Sequence, residues 1–327
     1  AVNRSNFLRL NANGTLDTAF DPAVNSSVSV LTLQSDGKIL LAGAFTAIAP
    51  GASSNTSSAA TSRAFIARVN ADGTLDPAFN PNPNGSISAM VVQADGKIVM
   101  GGAFTGLNPN GAAAEHTTRN RIARLNADGT LDEAYNPNAD GNVLALALQA
   151  DGRILAGGTF IFLQPNNETT PTLRKYAARL NADGTVDPGF NLDIGEQRGN
   201  RVDSIRVQAD GRVMLGGNFA TLHAPNTPAR LNRRNFARIL PNGTVDPAFD
   251  VSAGGSTAGI VNALALQADG GVIAGGSFTD LGGARSTNIA RFRPEGTADS
   301  NFNPTLTTDG PVNAIICLLY TSPSPRD

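Results

Sequence analysis

The chain has 327 residues, a formal net charge of −2 and only 16% charged residues. So little excess charge excludes the polybasic surface of a nucleic-acid-binding protein. No apolar run approaches the roughly 20 residues that a membrane-spanning helix needs, and a single Cys excludes a disulfide framework. The 35 Gly and 19 Pro residues argue against a helical fold.

The first element of each repeat is a predicted hairpin around an Asp-Gly turn. Short runs of Val, Ile, Leu and Ala flank this turn, with the consensus ALALQADGKILAGGTF. Successive copies are separated by 59, 56, 59 and 59 residues, and they turn at Asp36-Gly37, Asp95-Gly96, Asp151-Gly152, Asp210-Gly211 and Asp269-Gly270.

A second predicted hairpin follows the first, with the consensus IARLNADGTLDPAFNP. Two series with the same period, out of phase with each other, indicate a repeat protein and not a pair of unrelated domains. The second hairpin occurs six times, with turns at Gly14, Gly73, Gly129, Gly184, Gly243 and Gly296.

Two hairpins give four strands in each repeat of about 57 residues, and these strands are apolar on both faces. Each sheet therefore needs a neighbouring sheet on either side. We predict an all-β fold, a β-propeller of four-stranded blades with five complete blades and an incomplete sixth. A parallel β-helix is the alternative, although its repeats are usually shorter. Gly pairs in the second strand favour the propeller because they let adjacent sheets approach closely: Gly101-Gly102, Gly157-Gly158, Gly216-Gly217 and Gly275-Gly276.

These motifs resemble the delta-60 repeat family of bacterial β-propeller proteins, and the resemblance extends from residue 1 to about residue 316. The resemblance implies a module of a large exported bacterial protein, with no common catalytic site. We expect a non-catalytic scaffold or binding module at the cell surface, with an extracellular protein or glycan as partner and no cofactor. The alternatives are a propeller enzyme acting on polysaccharide and an intracellular interaction scaffold.

Both ends of the sequence interrupt the motif. Residue 1 enters it at a second hairpin, and the last first hairpin, PVNAII, stops at Ile316 before its turn. Residues 1–316 are therefore predicted to be a single β-propeller repeat domain truncated at both ends. Residues 317–327, CLLYTSPSPRD, match no earlier copy and resemble a translated sequencing adapter, so we exclude them from the fold.

The repeated N-x-D-G-x-x-D pattern resembles the start of a calcium-binding loop. Its first position is lost in two copies while the turn persists, which favours a type I turn followed by a left-handed Gly. That turn predicts a register in which Asn70 faces Thr74 and Arg68 faces Asp76. The Arg and the Asp recur in all six copies as a cross-strand pair, or the Asp caps the following D-P-A-F turn. The pairs are Arg9 with Asp17, Arg68 with Asp76, Arg124 with Asp132, Arg179 with Asp187, Arg238 with Asp246, and Arg291 with Asp299.

One large aromatic residue ends each hairpin, and it is predicted to anchor the packing of neighbouring sheets. An exposed platform that stacks on carbohydrate is the alternative. The two series are Phe20, Phe79, Tyr135, Phe190, Phe249 and Phe302, and Phe45, Phe104, Phe160, Phe219 and Phe278.

Specific recognition requires residues that do not repeat, and these lie in the connections between hairpins, at 46–62, 105–120, 161–175, 220–235 and 279–288. We expect these connections to be surface loops that bind any ligand. No catalytic, cofactor-binding or metal-ligating residue is predicted. The candidate recognition residues are His116, Arg119, His223, Arg233 and Arg234.

Overall fold

A computed structural model of the chain describes residues 4–51, 60–111, 115–195, 199–223, 231–251, 259–282, 287–302 and 310–317. Strands and turns dominate, and the helical segments whose bounds are described are single 3₁₀ turns, Pro109–Gly111 and Pro165–Asn167. The fold is therefore all-β, as predicted. Within the described part of the chain, no helix is long and apolar enough to cross a membrane. Most of the expected tail, residues 318–327, lies outside the described residues.

Five antiparallel sheets follow one another along the chain, and we number them blades 1 to 5. Each blade has an inner, a middle and an outer strand in chain order. The inner strands are Val28–Leu33, Ile87–Val92, Val143–Leu148, Arg201–Val207 and Gly259–Leu266. The middle strands are Ile39–Gly43, Ile98–Gly102, Ile154–Gly158, Val213–Asn218 and Val272–Phe278. The outer strands are Ile66–Val69, Ile122–Leu125, Ala177–Leu180, Phe236–Ile239 and Ile289–Phe292.

The fourth strand of each blade is shorter than predicted, because it is reduced to a single bridge such as Val69 with Leu75. The turn before it has the predicted register. The Asn70 amide donates to the Thr74 carbonyl over 2.8 Å, and the Gly73 amide donates to the Asn70 carbonyl over 2.9 Å. Gly73 has a φ of +90°, the left-handed conformation that glycine adopts without strain. The prediction of a left-handed Gly at this turn is confirmed.

The described chain forms two compact units. The first comprises residues 1–156, 160–173 and 179–187, and the second comprises residues 157–159, 174–178 and 188–327. Blades 1 and 2 lie wholly in the first unit, and blades 4 and 5 lie wholly in the second.

The two glycines of each pair have different roles, of which the sequence predicted one. A Cβ on Gly101 would lie 2.4 Å from Cγ1 of Val143 in the next blade, so the first glycine does permit close approach of sheets. A Cβ on Gly102 would instead lie 2.1 Å from the carbonyl oxygen of Ser86 in the same blade. The inner strand has a β-bulge there, between Ile87 and Ala89, and the second glycine makes room for it.

The recurring aromatic residues are packing anchors. Phe20, Phe79 and Tyr135 have no exposed surface, and Phe278, the least buried of the Phe residues that end the middle strands, is only 3% exposed. Phe302 is half-buried. The alternative of an exposed stacking platform built from these rings is therefore wrong.

The connections between hairpins are not irregular loops throughout. In blades 1 to 4 each connection contains a two-stranded ribbon. The segment just before the inner strand forms a β-bridge to this ribbon, as Val24 does to Ile48. We call the end of a blade that carries this ribbon its linker end, and the opposite end, with the Asp-Gly turns, its turn end. The ribbons pair Ala47–Ile48 with Thr61–Ser62, Gly106–Leu107 with Thr117–Thr118, Phe162–Leu163 with Thr172–Leu173, and Thr221–His223 with Leu231–Asn232; Asp193–Ile194 adds a third strand to the last. Residues 52–59, 112–114, 224–230 and 283–286 of the predicted loops lie outside the described residues.

Candidate functional site

All six repeated Arg–Asp pairs lie within hydrogen-bond distance. In blade 1, Arg68 Nε donates to Asp76 Oδ2 over 2.9 Å, and Lys38 Nζ contacts the same oxygen at 2.9 Å. The other pairs repeat this contact, at 2.8 Å for Arg9–Asp17 and Arg124–Asp132 and 2.7 Å for Arg179–Asp187 and Arg238–Asp246; Arg291 also contacts Asp299.

The second oxygen of the same carboxylate caps the following turn. Oδ1 of Asp76 accepts the Ala78 amide over 3.2 Å, so one residue serves both roles that the sequence left open. Burial alone would raise the pKa of Asp76. The hydrogen bond from Lys38 and the charge of Arg68 outweigh burial, and the pKa lies below its ordinary value.

Four of these arginines also join their repeat to the next one. Nη1 of Arg68 donates to the carbonyl of Ala127 in the turn of blade 2, and its guanidinium lies 4.4 Å from the ring centre of Phe79. That ring packs against Gly129 of the same turn. The same reach to the next repeat links Arg9 to Ala71, Arg124 to Ala182, and Arg238 to Pro294. The repeated charges are therefore engaged in structural contacts.

The Asp of the second Asp-Gly turn also has a structural role. Oδ1 of Asp72 accepts both the backbone amide and the hydroxyl of Thr74, over 2.9 and 2.7 Å. These hydrogen bonds hold the pKa of Asp72 below its ordinary value. Among the described residues no group of three or more His, Cys, Asp or Glu side chains is placed to hold a metal ion.

A second arginine series was missed by the sequence reasoning. Each member lies five residues before a paired arginine. In four of the five, Nη2 donates to the backbone carbonyl that follows the paired Asp, as from Arg119 to Glu133 over 3.0 Å. The spacing R-x-x-x-x-R, visible when the copies are aligned, was the available signal. The series is Arg4, Arg63, Arg119, Arg174 and Arg233.

Two of the candidate recognition residues belong to this buried series. Arg119 and Arg233 are only 8% and 4% exposed, because each guanidinium bonds to backbone carbonyls at the linker end. Both side chains are therefore held by the backbone and are not free loop side chains, although Arg119 still lines a cleft at the linker end. His116 and Arg234 are exposed, and His223 is half-buried on a ribbon, opposite Asp193. His116 belongs to the first unit, and His223 and Arg234 belong to the second.

The first unit has a cleft at the linker ends of blades 2 and 3. It consists of two adjoining hollows of 480 and 390 Å³ that share Asn120 and Asn138. Nδ2 of Asn120 donates to Oδ1 of Asn138 over 2.7 Å, which fixes both side chains. The lining is rich in amides and hydroxyls, with Thr117, Thr118, Glu133, Asn136 and Asn166 in one hollow and Arg121, Asp140, Phe162, Gln164 and Pro171 in the other.

Backbone contacts hold the wall of the first hollow. The Asn166 amide donates to the Asn136 carbonyl over 2.8 Å, and Oδ1 of Asn166 accepts the Asn136 amide over 3.3 Å. Asn166 has a φ of +51° and Asn138 a φ of +52°, a conformation that asparagine tolerates better than most residues. The arrangement offers amide and hydroxyl groups of fixed position, which suits binding better than proton transfer.

Comparison with known sequences identifies a family. Six segments, residues 1–20, 34–79, 93–135, 149–190, 208–249 and 267–302, match the profile of a family described as "Domain of unknown function (DUF5122) beta-propeller". Each complete segment begins at the first turn and ends at the aromatic residue of the second hairpin, so it is shorter than the repeat spacing. No curated protein matches the chain.

Several solved structures are similar to this chain at low identity. One is a protein of unknown function from Bacteroides caccae, with 10% identity, a TM-score of 0.45 and coverage of 91% of this chain and 90% of that one. Another is a gluconolactonase from Xanthomonas campestris, with 13% identity, a TM-score of 0.45 and coverage of 86% and 77%. The WD40 β-propeller domain of Doa1 is 14% identical, with a TM-score of 0.39 and coverage of 62% of this chain and 51% of that one. The chain therefore spans about half of the length of that structure. None of these likenesses carries an argument about activity.

Proposed function

The chain belongs to the DUF5122 β-propeller family, and from that premise we propose that it is a non-catalytic binding module. It is a repeat module of the delta-60 type, exported to the surface of a bacterium as part of a larger protein, and its partner is an extracellular protein or glycan. The resemblance of the repeats to the exported delta-60 proteins supports this location.

One observation carries the proposal: the repeated polar residues are engaged in structural contacts, and the distinctive ones gather at the linker end. Arg68 and Asp76 illustrate the first half, since together they bind each other, cap a turn and reach the next blade. The cleft containing Asn120 and Asn138 illustrates the second. A rigid scaffold that presents unlike connections is a common way to build a recognition surface.

The test compares the two ends of the blades in the full chain. Binding is measured by biolayer interferometry against immobilised bacterial surface proteins and extracellular polysaccharides. The linker-end variant combines His116→Ala, Asn120→Ala and Phe162→Ala. The turn-end variant combines Asp95→Asn and Asp151→Asn. Asn is expected to keep the fold of these turns, because Oδ1 of Asn13, at the corresponding place in a second hairpin, accepts the same backbone amide two residues later.

We expect the linker-end variant to lose binding and the turn-end variant to keep it. Binding that survives the linker-end changes and disappears with the turn-end changes would place recognition at the turn end and contradict the proposal. Absence of binding to every preparation would reject the binding function. Equal Tm values by circular dichroism exclude unfolding as the cause of any loss.

A further inference from the structure

The ribbon of blade 3 exposes two large apolar side chains that the other ribbons lack. Phe162 and Leu173 face each other across its two strands and are 41% and 47% exposed. The corresponding pairs are Ala47 with Ser62 in blade 1, Gly106 with Thr118 in blade 2, and Thr221 with Asn232 in blade 4. The fold therefore does not require large apolar residues at this place. Their exposure indicates a surface for contact with a ligand.

The polar groups beside this ribbon are also particular to it. Asn120 and Glu133 line the cleft, whereas the equivalent residues of the preceding repeat are Ala64 and Pro77. Asn120 bonds to Asn138 across the boundary of the two hollows, so the added amide organises both of them. The cleft thus combines two features that the preceding repeat lacks at the equivalent positions: the Asn120 amide with the Glu133 carboxylate, and an apolar surface next to them.

Building on the proposed function, we infer that this cleft binds a neutral oligosaccharide. Amide side chains both donate and accept hydrogen bonds, as sugar hydroxyls do, and a carboxylate such as Glu133 accepts from two neighbouring hydroxyls. The exposed ring of Phe162 provides an apolar face for the C–H side of a sugar ring. The charged residues of the lining are Arg119 and Arg121 against Glu133 and Asp140, so the lining has no cationic excess to attract a sulfated or uronic chain.

A peptide fits this site less well. An extended peptide binds by adding to a free strand edge. The strand that lines the cleft, Phe162–Leu163, offers no such edge at Leu163, which is already paired on both sides, with Thr172 in its ribbon and with Ala139 of the preceding segment. An oligosaccharide does not need backbone pairing, and two adjoining hollows suit a ligand of more than one sugar unit. Each hollow falls within the roughly 300–1,000 Å³ typical of small-ligand sites.

The experiment measures binding of the full chain to cellopentaose, xylopentaose, mannopentaose, laminaripentaose and chitopentaose by isothermal titration calorimetry. Each variant places a residue that another repeat already carries at the same position: Phe162→Ala, Leu173→Ser, Asn120→Ala and Glu133→Pro. The control is Ser62→Ala, on the ribbon of blade 1. Because the substituted residues occur in the fold already, these variants are expected to keep the wild-type Tm.

We expect at least one of the five oligosaccharides to bind, with affinity reduced about tenfold or more by Phe162→Ala and by Asn120→Ala and unchanged by Ser62→Ala. Failure of all five to bind overturns the inference, and so does binding that neither cleft variant weakens. The proposed function has a separate outcome. If surface preparations bind in a linker-dependent manner and the five oligosaccharides do not bind or compete, the binding module stands and the glycan ligand is wrong.

Discussion

Substitution of Asp76 by Asn tests whether the repeated pairs hold the blades together. Arg68 and Asp76 have side chains only 8% and 9% exposed, and Asp76 also neutralises Lys38, which is 33% exposed. Removing one partner of a buried pair typically costs 3–5 kcal/mol, because the remaining charge is left in a poorly solvated place. Since Lys38 can turn to solvent and Arg68 keeps its bond to the Ala127 carbonyl, we expect the lower end of this range, about 3 kcal/mol.

The assay is urea and thermal unfolding followed by far-UV circular dichroism. A loss of about 3 kcal/mol corresponds to a Tm lower by about 4 °C for a chain of this size. The matched control is Lys38→Ala, which removes the more exposed partner and is expected to cost no more than about 1 kcal/mol. An Asp76→Asn protein whose stability lies within about 0.5 kcal/mol of wild type would refute the structural role of the pair.

Three further outcomes are expected. The pKa of Asp76 is lowered in the folded state, so its contribution is present above the unfolded pKa of about 3.9 and is lost as the pH falls through the folded value; acid unfolding curves of Asp76→Asn should therefore be flatter than those of wild type below about pH 4. Gly101→Ala should destabilise the protein by about 1–3 kcal/mol in urea, because the added methyl meets Val143, and restoration by the double variant with Val143→Ala would show that sheet contact is the cause, whereas no effect of Gly101→Ala would contradict it. Leu31 and Leu33 are 53% and 72% exposed on the inner strand of blade 1. A synthetic hairpin with the sequence of residues 143–159 should cover these side chains and raise the Tm of the protein, and a double Thr variant at the two leucines should abolish that rise.

Much of the architecture follows from local rules that act within one repeat. The turn from Asn70 to Thr74 needs only a left-handed glycine and a fixed number of turn residues, and these two features determine which side chains face each other. The paired Arg68 and Asp76 follow from that register. The contact of Gly101 with the next sheet was also predictable, since a glycine in a strand often marks a close approach.

The features that sequence reasoning missed depend on contacts between distant segments. The role of Gly102 depends on a bulge in the inner strand, which apolar alternation does not reveal. Arg119 looked like a loop residue because a two-residue ribbon is too short to show a period. The exposure of Phe162 could not be told from the burial of Phe160, two residues earlier, without knowing how the ribbon turns. Consequently the repeat was predictable and the cleft was not.

The link between neighbouring repeats has a consequence for how such a chain evolves. Arg68 binds the backbone carbonyl of Ala127, and in a later copy Arg238 binds that of Pro294, so the acceptor is supplied by the main chain whatever the residue. A repeat duplicated within the gene could form this bond with its new neighbour without any compensating substitution. Interactions restricted to adjacent repeats then allow copy number to drift while each junction remains intact.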